Sequence, residues 1–148
     1  MYKILGTLFF LFPFLAYSQS ANSSDENKIF EKIETEAGFF GGTAKWKEFV
    51  NKNFNFTRIV KNLPDSVTRF SDTAKIQFIV DKNGIINNIS FQTKVTKSVK
   101  ESYTELFKDS PHWRPANQCG RNVNAYRKQT FIVQIDKTTG KQLILIRE

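Results

Sequence analysis

The residue types that most often carry catalysis or bind metals are scarce in this chain of 148 residues. His112 is its only histidine and Cys119 its only cysteine. A zinc site needs three or four histidine, cysteine or carboxylate ligands, and Cys119 has no second cysteine or histidine partner at a suitable spacing. A cysteine nucleophile needs an activating base, and none accompanies Cys119. We therefore expect a protein without catalytic residues, metal ligands or cofactors, in which His112 has a structural or surface role.

The acidic residues contain one fragment of a metal motif. Asp81, Asn83 and Gly84 match the start of a calcium-binding loop, but the later ligands, including the closing glutamate, are missing. No two carboxylates are spaced for general acid–base work. We interpret residues 81–84 as a hairpin turn. A small enzyme that uses the loop of residues 113–119 is the alternative from a different functional class.

The elements that could position a binding surface are organised around residues 74–91, which predict a β-hairpin. The first arm alternates apolar and polar residues, as in a half-buried strand, with Ile76, Phe78 and Val80 on the apolar side. Asn83 and Gly84 tolerate positive φ and predict the turn. The odd spacing of the apolar residues in the return arm predicts a β-bulge that puts them on one face, namely Ile86, Ile89 and Phe91.

Two amphipathic stretches predict helices that pack on this hairpin. We expect Thr43 to cap the first, and its apolar positions are Trp46, Phe49, Val50 and Phe54. Ser98 and Glu101 form a capping-box pattern for the second, which ends near Asp109. Its apolar positions are Val99, Tyr103, Leu106 and Phe107.

The rest of the chain completes an α+β domain. Residues 28–37 fit either a helix face or an edge strand, and residues 55–73 predict an irregular connection. Residues 126–136 predict a strand with Phe131, Val133 and Ile135 inward, and residues 142–146 a possible further strand. The expected fold is a three- to four-stranded antiparallel sheet with two helices packed on one face, in the order helix, strand, strand, helix, strand.

The N-terminal segment predicts export. Lys3 precedes an apolar run with small residues at its end, as in a signal peptide over residues 1–18. Residues 19–38 would be a flexible or extended segment and residues 39–148 the folded domain. Export without a disulfide framework favours a bacterial periplasm, with an uncleaved inner-membrane anchor as the alternative.

The charge of the chain favours some partners over others. There are 22 basic and 14 acidic residues, a net charge of +8. The bases are spread along the sequence, which favours solubility and contact with acidic partners or a membrane surface. Nucleic-acid binding would need a clustered basic stripe, and we do not expect it.

Residues 39–135 resemble the C-terminal domain of the TonB energy-transducer family, in the variant with a Phe-Pro-Gly-Gly motif. Six local matches follow one another in the family's order. They are Phe40-Gly41-Gly42, Trp46 with Phe49, residues 51–56, the hairpin of residues 76–86, residues 111–116 (PHWRPA) and residues 120–123.

The resemblance implies a periplasmic, non-enzymatic protein-interaction module. It would bind extended peptides of outer-membrane receptors or transport-complex partners by β-strand addition. The corresponding partner-binding edge strand would consist of Thr130, Phe131, Ile132, Val133, Gln134 and Ile135. The alternative is an envelope structural or assembly protein that kept the fold without energy transduction.

Two further segments bear on partner binding. Arg114 and its loop could form a partner-contact surface, although Trp113 could equally fill the core while Pro115 stiffens the chain. The uncharged tail of residues 142–146 has high β-propensity and should be paired. It could pair back onto residues 131–135, where it would compete with a partner peptide, or with a second copy to form a homodimer.

Overall fold

The computed structural model describes residues 28–147. The predicted signal peptide of residues 1–18 lies outside the described residues, as do residues 19–27 and Glu148.

The described chain forms an α+β fold with three helices and a six-stranded mixed open sheet. The strands are β1 (Ile29–Phe30), β2 (Arg69–Val80), β3 (Ile86–Phe91), β4 (Ala116–Gln118), β5 (Arg121–Asp136) and β6 (Lys141–Arg147). The helices are α1 (Gly42–Asn53), α2 (Phe56–Asn62) and α3 (Lys97–Lys108).

The long strand β5 is the centre of the sheet. Antiparallel β2 pairs with it from Arg69 opposite Asp136 to Val80 opposite Ala125, and β3 pairs with the far side of β2. On its other edge β5 pairs with antiparallel β6 at residues 130–136 and with parallel β1 at residues 124–125. The short strand β4 pairs with the beginning of β5, at residues 121–123.

The α+β class is confirmed, but the predicted sheet was too small and too regular. The described residues form six strands rather than three or four, and β1 makes the sheet mixed because it runs parallel to β5. The described residues also form three helices rather than two. Residues 28–37 were predicted as either a helix face or an edge strand, and β1 at Ile29–Phe30 fits the strand alternative. The two-residue β1 and the three-residue β4 are too short to show a periodic pattern of their own.

The predicted hairpin is confirmed as β2 and β3. The side chains of Ile76, Phe78 and Val80 are buried, and the pairing register shifts between Gln77 and Ile79, which is the expected bulge. Bulge residue Asn88 has φ of 49°. The turn differs in detail, because Gly84 has φ of 82° whereas Asn83 is not among the described residues with positive φ.

The two predicted helices are confirmed as α1 and α3, but both predicted caps were wrong. Gly41, with φ of 84°, precedes α1, and Thr43 lies inside the helix. Thr96 precedes α3, and its N–H and hydroxyl both donate to Asp72 of β2. A tertiary carboxylate therefore takes the place of the local capping box expected at Ser98.

Residues 55–73 are more regular than expected. They contain α2, whose first turn is capped by the side chain of Asn55 accepting from the N–H of Arg58 at 3.1 Å, and the beginning of β2. The segment of residues 28–38 is extended and hydrogen-bonded to the domain. Its Thr35 bridges Asn117, and its Gly38 bridges Arg114.

The three helices cover one face of the sheet, and the core lies between the two layers. Buried aromatic side chains surround Trp46, whose ring centroid lies 5.0 Å from that of Trp113 and 5.8 Å from that of Phe107. The opposite side, called the open face below, carries the odd-numbered residues of β2 and β6 and the even-numbered residues of β5 from 126 to 136. It is covered by none of the three helices.

Candidate functional site

The predicted partner-binding strand lies in the middle of β5, where both of its edges are paired. Residues 130–135 pair with β2 on one edge and with β6 on the other. Pairing of the tail onto this strand is confirmed, in the register Phe131 opposite Ile146 to Ile135 opposite Gln142. The strand was wrongly placed at the sheet edge, because β6 occupies that position.

The side chains of this strand divide between the two faces of the sheet. Phe131 and Val133 are fully buried under the helices, and Ile135 is nearly so. Thr130, Ile132 and Gln134 alternate with them and lie on the open face. What a partner strand could use here is therefore the backbone edge that β6 now holds.

The strand β6 is held by its backbone pairing with β5 and by Ile144 and Ile146, which pack against the core. Ile144 is its only buried side chain among the described residues, while Leu145 is 39% exposed. A four-residue turn joins β6 to β5, and Asp136 organises that turn by accepting the N–H groups of Thr138 and Thr139 at 2.9 and 3.2 Å. The hydroxyl of Thr138 donates to the same carboxylate and, with these N–H groups, lowers the pKa of Asp136.

Next to the stretch held by β6, four residues of β5 have no strand partner on the same edge among residues 28–147. They are residues 126–129, between the positions paired with β1 and those paired with β6. Arg127 forms an ion pair with Glu36 across this stretch. A recess of about 500 Å³ opens there, lined by Glu31, Glu36, Gln77 and residues 126–128.

This open stretch was not identified from the sequence, although a signal for it exists. Arg127 and Gln129 occupy inward positions of β5, in the same alternation as buried Phe131 and Val133. Polar residues at inward positions indicate either a buried polar partner or a break in the packing. Gln129 has such a partner, because its Oε1 accepts from the indole N–H of Trp46 at 2.9 Å.

The loop around Arg114 combines a buried anchor with an exposed side chain. Trp113 is 2% exposed, and its backbone N–H donates to the carbonyl of Gly84 at 2.8 Å. Arg114 is exposed, and its backbone exchanges two hydrogen bonds with Gly38. Trp113 thus fills the core, whereas the Arg114 side chain is accessible to a partner.

Two of the most exposed large apolar residues follow closely, in the sequence, the glycines that contact the loop around Arg114. Phe40, 61% exposed, follows Gly38 by two residues, and Ile85, 42% exposed, follows Gly84 directly. The contacts of Gly38 with Arg114 and of Gly84 with Trp113 bring both segments to the loop.

The remaining candidates for chemistry lie in turns or on the surface. Cys119 lies in the two-residue turn between β4 and β5 with φ of 50°, and its N–H donates to Glu34 at 3.0 Å. The Asp81 carboxylate accepts the N–H groups of Asn83 and Ile85 at 2.9 Å each, which closes the β2–β3 turn. His112 is exposed. Within residues 28–147, no three histidine, cysteine or acidic side chains are grouped so that they could hold a metal ion.

None of the helices in the described part of the chain is long and apolar enough to cross a membrane. Comparison with known proteins gives no match: no protein-family model, no curated protein and no solved structure matches the chain.

Proposed function

We propose that this chain is a non-enzymatic protein-interaction module of the bacterial periplasm, which binds extended peptides by adding them as a strand to β5. Its partners would be outer-membrane receptors or components of a transport complex, as in the TonB C-terminal domain that the sequence resembles. The observation that carries the proposal is the edge of β5 at residues 126–136. Part of this edge has no strand partner among the described residues, and the rest is held by β6, which has one buried side chain.

Binding would proceed by strand exchange. A peptide first pairs with residues 126–129 and then replaces β6 along residues 130–136. Each backbone hydrogen bond lost from β6 is regained from the peptide, so the exchange changes the number of hydrogen bonds little. Because β6 is tethered to β5, its effective concentration at this edge is high. A peptide must therefore have enough affinity for the edge to displace β6.

The register of β6 predicts which peptides would bind. Ile144 and Ile146 face the helices opposite Val133 and Phe131. Losing the burial of Ile144 costs about 1.5–3 kcal/mol, so a competing peptide needs apolar side chains at the same alternate positions. The opposite side of the peptide would lie on the open face and tolerate polar residues.

Truncation tests the exchange. A variant truncated after Asp136 should bind a synthetic peptide of residues 141–147. It should also bind extended partner peptides more tightly than the full chain does. The matched control is the same peptide with Leu145→Pro. Leu145 lies directly opposite Ile132, and the substitution removes a backbone N–H that points to β5 while it keeps Ile144. Unchanged or weaker binding by a truncated protein that circular dichroism shows to be folded contradicts the proposal.

The occupied edge also favours a second candidate, an envelope assembly protein that has kept the fold without energy transduction. β6 covers seven residues of β5, so a form that never releases its tail would offer, on this edge of β5 and within residues 28–147, residues 126–129 alone for strand pairing. Gene deletion separates the candidates. Loss of receptor-dependent uptake supports the transport module, and an envelope defect with normal uptake supports the assembly role.

A further inference from the structure

The open face of the sheet collects basic residues that are far apart in the sequence. Five exposed bases lie on it: Arg69, Lys75, Lys128, Lys141 and Arg147. The one acidic residue of the described sheet on this face is Asp136, which pairs with Arg69 at 3.4 Å. The remaining four bases have no ion-pair partner within residues 28–147, and Glu31 and Glu36 line the recess beside Lys128. Bases outnumber acidic residues on this face, so its net charge is positive.

The bases form two groups at opposite ends of the face. Lys75, Thr130 and Arg147 stand side by side on β2, β5 and β6, and Lys128 lies two residues along β5 from Thr130. Neighbouring strands are about 4.8 Å apart, so Lys75 and Arg147 are separated at their backbones by only about 10 Å. Arg69 and Lys141 occupy the other end, six residues or about 20 Å away along the strands.

Aliphatic side chains lie between the two basic groups. Ile132 and Leu145 are direct neighbours across β5 and β6, and Leu143 is the next residue on the same side of β6. Leu145 is 39% exposed, and the other two are partly exposed. A hollow of about 400 Å³ adjoins them at the Arg69 end, lined in part by Arg69, Lys141 and Leu143.

We propose that the open face docks onto an anionic phospholipid surface. A planar surface of phosphate groups meets the bases of β2, β5 and β6 at once, whereas an extended acidic peptide lying along one strand would meet only the bases of that strand, such as Lys141 and Arg147 on β6. The aliphatic side chains between the bases would contact the interfacial region, as the apolar face of an interfacial helix does. The hollow beside Arg69 and Lys141 has room for one headgroup.

The location of these bases, and not the net charge of the protein, is what the proposal depends on. The helix layer is also basic, but Lys45, Arg58 and Lys97 there are paired with acidic side chains. Its other bases are divided among three helices. This docking surface is distinct from the backbone edge of β5, so it stands independently of the proposed peptide binding.

Vesicle co-sedimentation of the full chain tests the proposal. Vesicles of phosphatidylcholine with phosphatidylglycerol should bind the protein, and vesicles of phosphatidylcholine alone should bind it much less. Replacing Lys75, Lys128 and Arg147 by glutamine should lower partitioning on the order of 100-fold, since each base near an anionic surface contributes about fivefold. The matched control replaces Lys47, Lys61 and Lys108, one exposed lysine on each helix, by glutamine and removes the same charge.

The helix-layer variant should keep nearly all of the binding. Equal losses in the two variants would show attraction by net charge alone and would overturn the proposal. Equal partitioning of the unmodified protein onto both kinds of vesicle would overturn it as well. The proposal would also be overturned if the unmodified protein bound neither kind of vesicle but bound a strongly acidic protein through Lys75, Lys128 and Arg147. Circular dichroism of both variants establishes that each is folded.

Discussion

The indole N–H of Trp46 in α1 donates to Oε1 of Gln129 in β5 at 2.9 Å, and both side chains are almost completely buried. This bond joins the helix layer to the central strand at the last residue of the stretch that β1 and β6 leave uncovered. It therefore fixes the strand beside which a partner peptide would pair. A polar bond inside an aromatic core also determines which residues of α1 and β5 meet, because an alternative register would leave both groups unsatisfied.

Gln129→Leu should destabilise the protein by about 1–3 kcal/mol, because it leaves the buried indole N–H without an acceptor. The control is Gln134→Leu, which lies on the exposed side of the same strand and should change the free energy of unfolding by about 0.5 kcal/mol or less. Urea denaturation of the two variants makes the comparison. Equal free energies of unfolding for Gln129→Leu and Gln134→Leu would show that the hydrogen bond from Trp46 contributes nothing to stability.

Tyr103→Phe should leave stability at neutral pH unchanged or slightly higher. The Tyr103 side chain is fully buried between Phe54 and Phe131, and its hydroxyl has no hydrogen-bond partner among the described residues. Removing an unsatisfied buried hydroxyl relieves a desolvation cost. A loss of more than about 1 kcal/mol in urea denaturation would show that the hydroxyl has a partner after all.

The same variant should differ more from the parent at alkaline pH. Burial, and to a lesser extent the carboxylate of Asp72, raises the pKa of Tyr103 far above its ordinary value. Above a pH of about 10 the unfolded phenol loses its proton while the folded one keeps it, so the stability of the parent falls as pH rises. The advantage of Tyr103→Phe should therefore grow above this pH by up to about 1.4 kcal/mol per pH unit. Parallel curves for the two proteins from neutral to alkaline pH would contradict the assignment.

Gly84→Ala should be strongly destabilising. Gly84 has φ of 82°, and a Cβ there would lie 2.0 Å from the carbonyl oxygen of Trp113. The matched control is Gly140→Ala, which has φ of 70° but nothing within 4 Å of the added Cβ. The control should lose only about 1 kcal/mol from backbone strain, whereas Gly84→Ala should lose several-fold more. Similar losses in thermal unfolding would mean that the contact with Trp113 relaxes easily.

The longer elements of this fold could be predicted because their patterns repeat. Alternation in residues 76–80 and 131–135 identified β2 and β5, and the helical spacing of Trp46 and Val50 identified α1. The strands β1 and β4 are too short for any period to appear. The caps of α1 and α3 were misplaced because Asp72, distant in sequence, supports the beginning of α3, and Gly41 takes the position expected for Thr43.

The candidate surfaces depend on which strands pair and in which register, and the sequence pattern alone does not predict this. The tail pairing was predictable from the high β-propensity of residues 142–146 and its short connection to β5. The open stretch at residues 126–129 depends on where two separate strands, β1 and β6, stop. The bases of the open face are similarly brought together only by the register of β2, β5 and β6, so they looked dispersed along the chain.

A disulfide lock on β6 tests the strand-exchange proposal most directly in the intact protein. Ile132 and Leu145 are direct partners across β5 and β6, and such pairs have Cα separations of about 4.5–5.5 Å, within the range that a disulfide bridges. The variant carries Cys at both positions and Cys119→Ser. Its control carries Cys at Thr73 and Ile132, which locks β5 to β2 instead.

Both variants are used to recover partners from an envelope extract, each in its oxidised and reduced form, with the bound proteins identified by mass spectrometry. The reduced β5–β6 variant should recover outer-membrane receptors or transport-complex proteins, and its oxidised form should lose them because β6 can no longer leave β5. The β2–β5 variant should recover the same proteins in either form. Recovery of the same receptors by the oxidised β5–β6 variant, or of none by any form, would contradict peptide binding by exchange with β6.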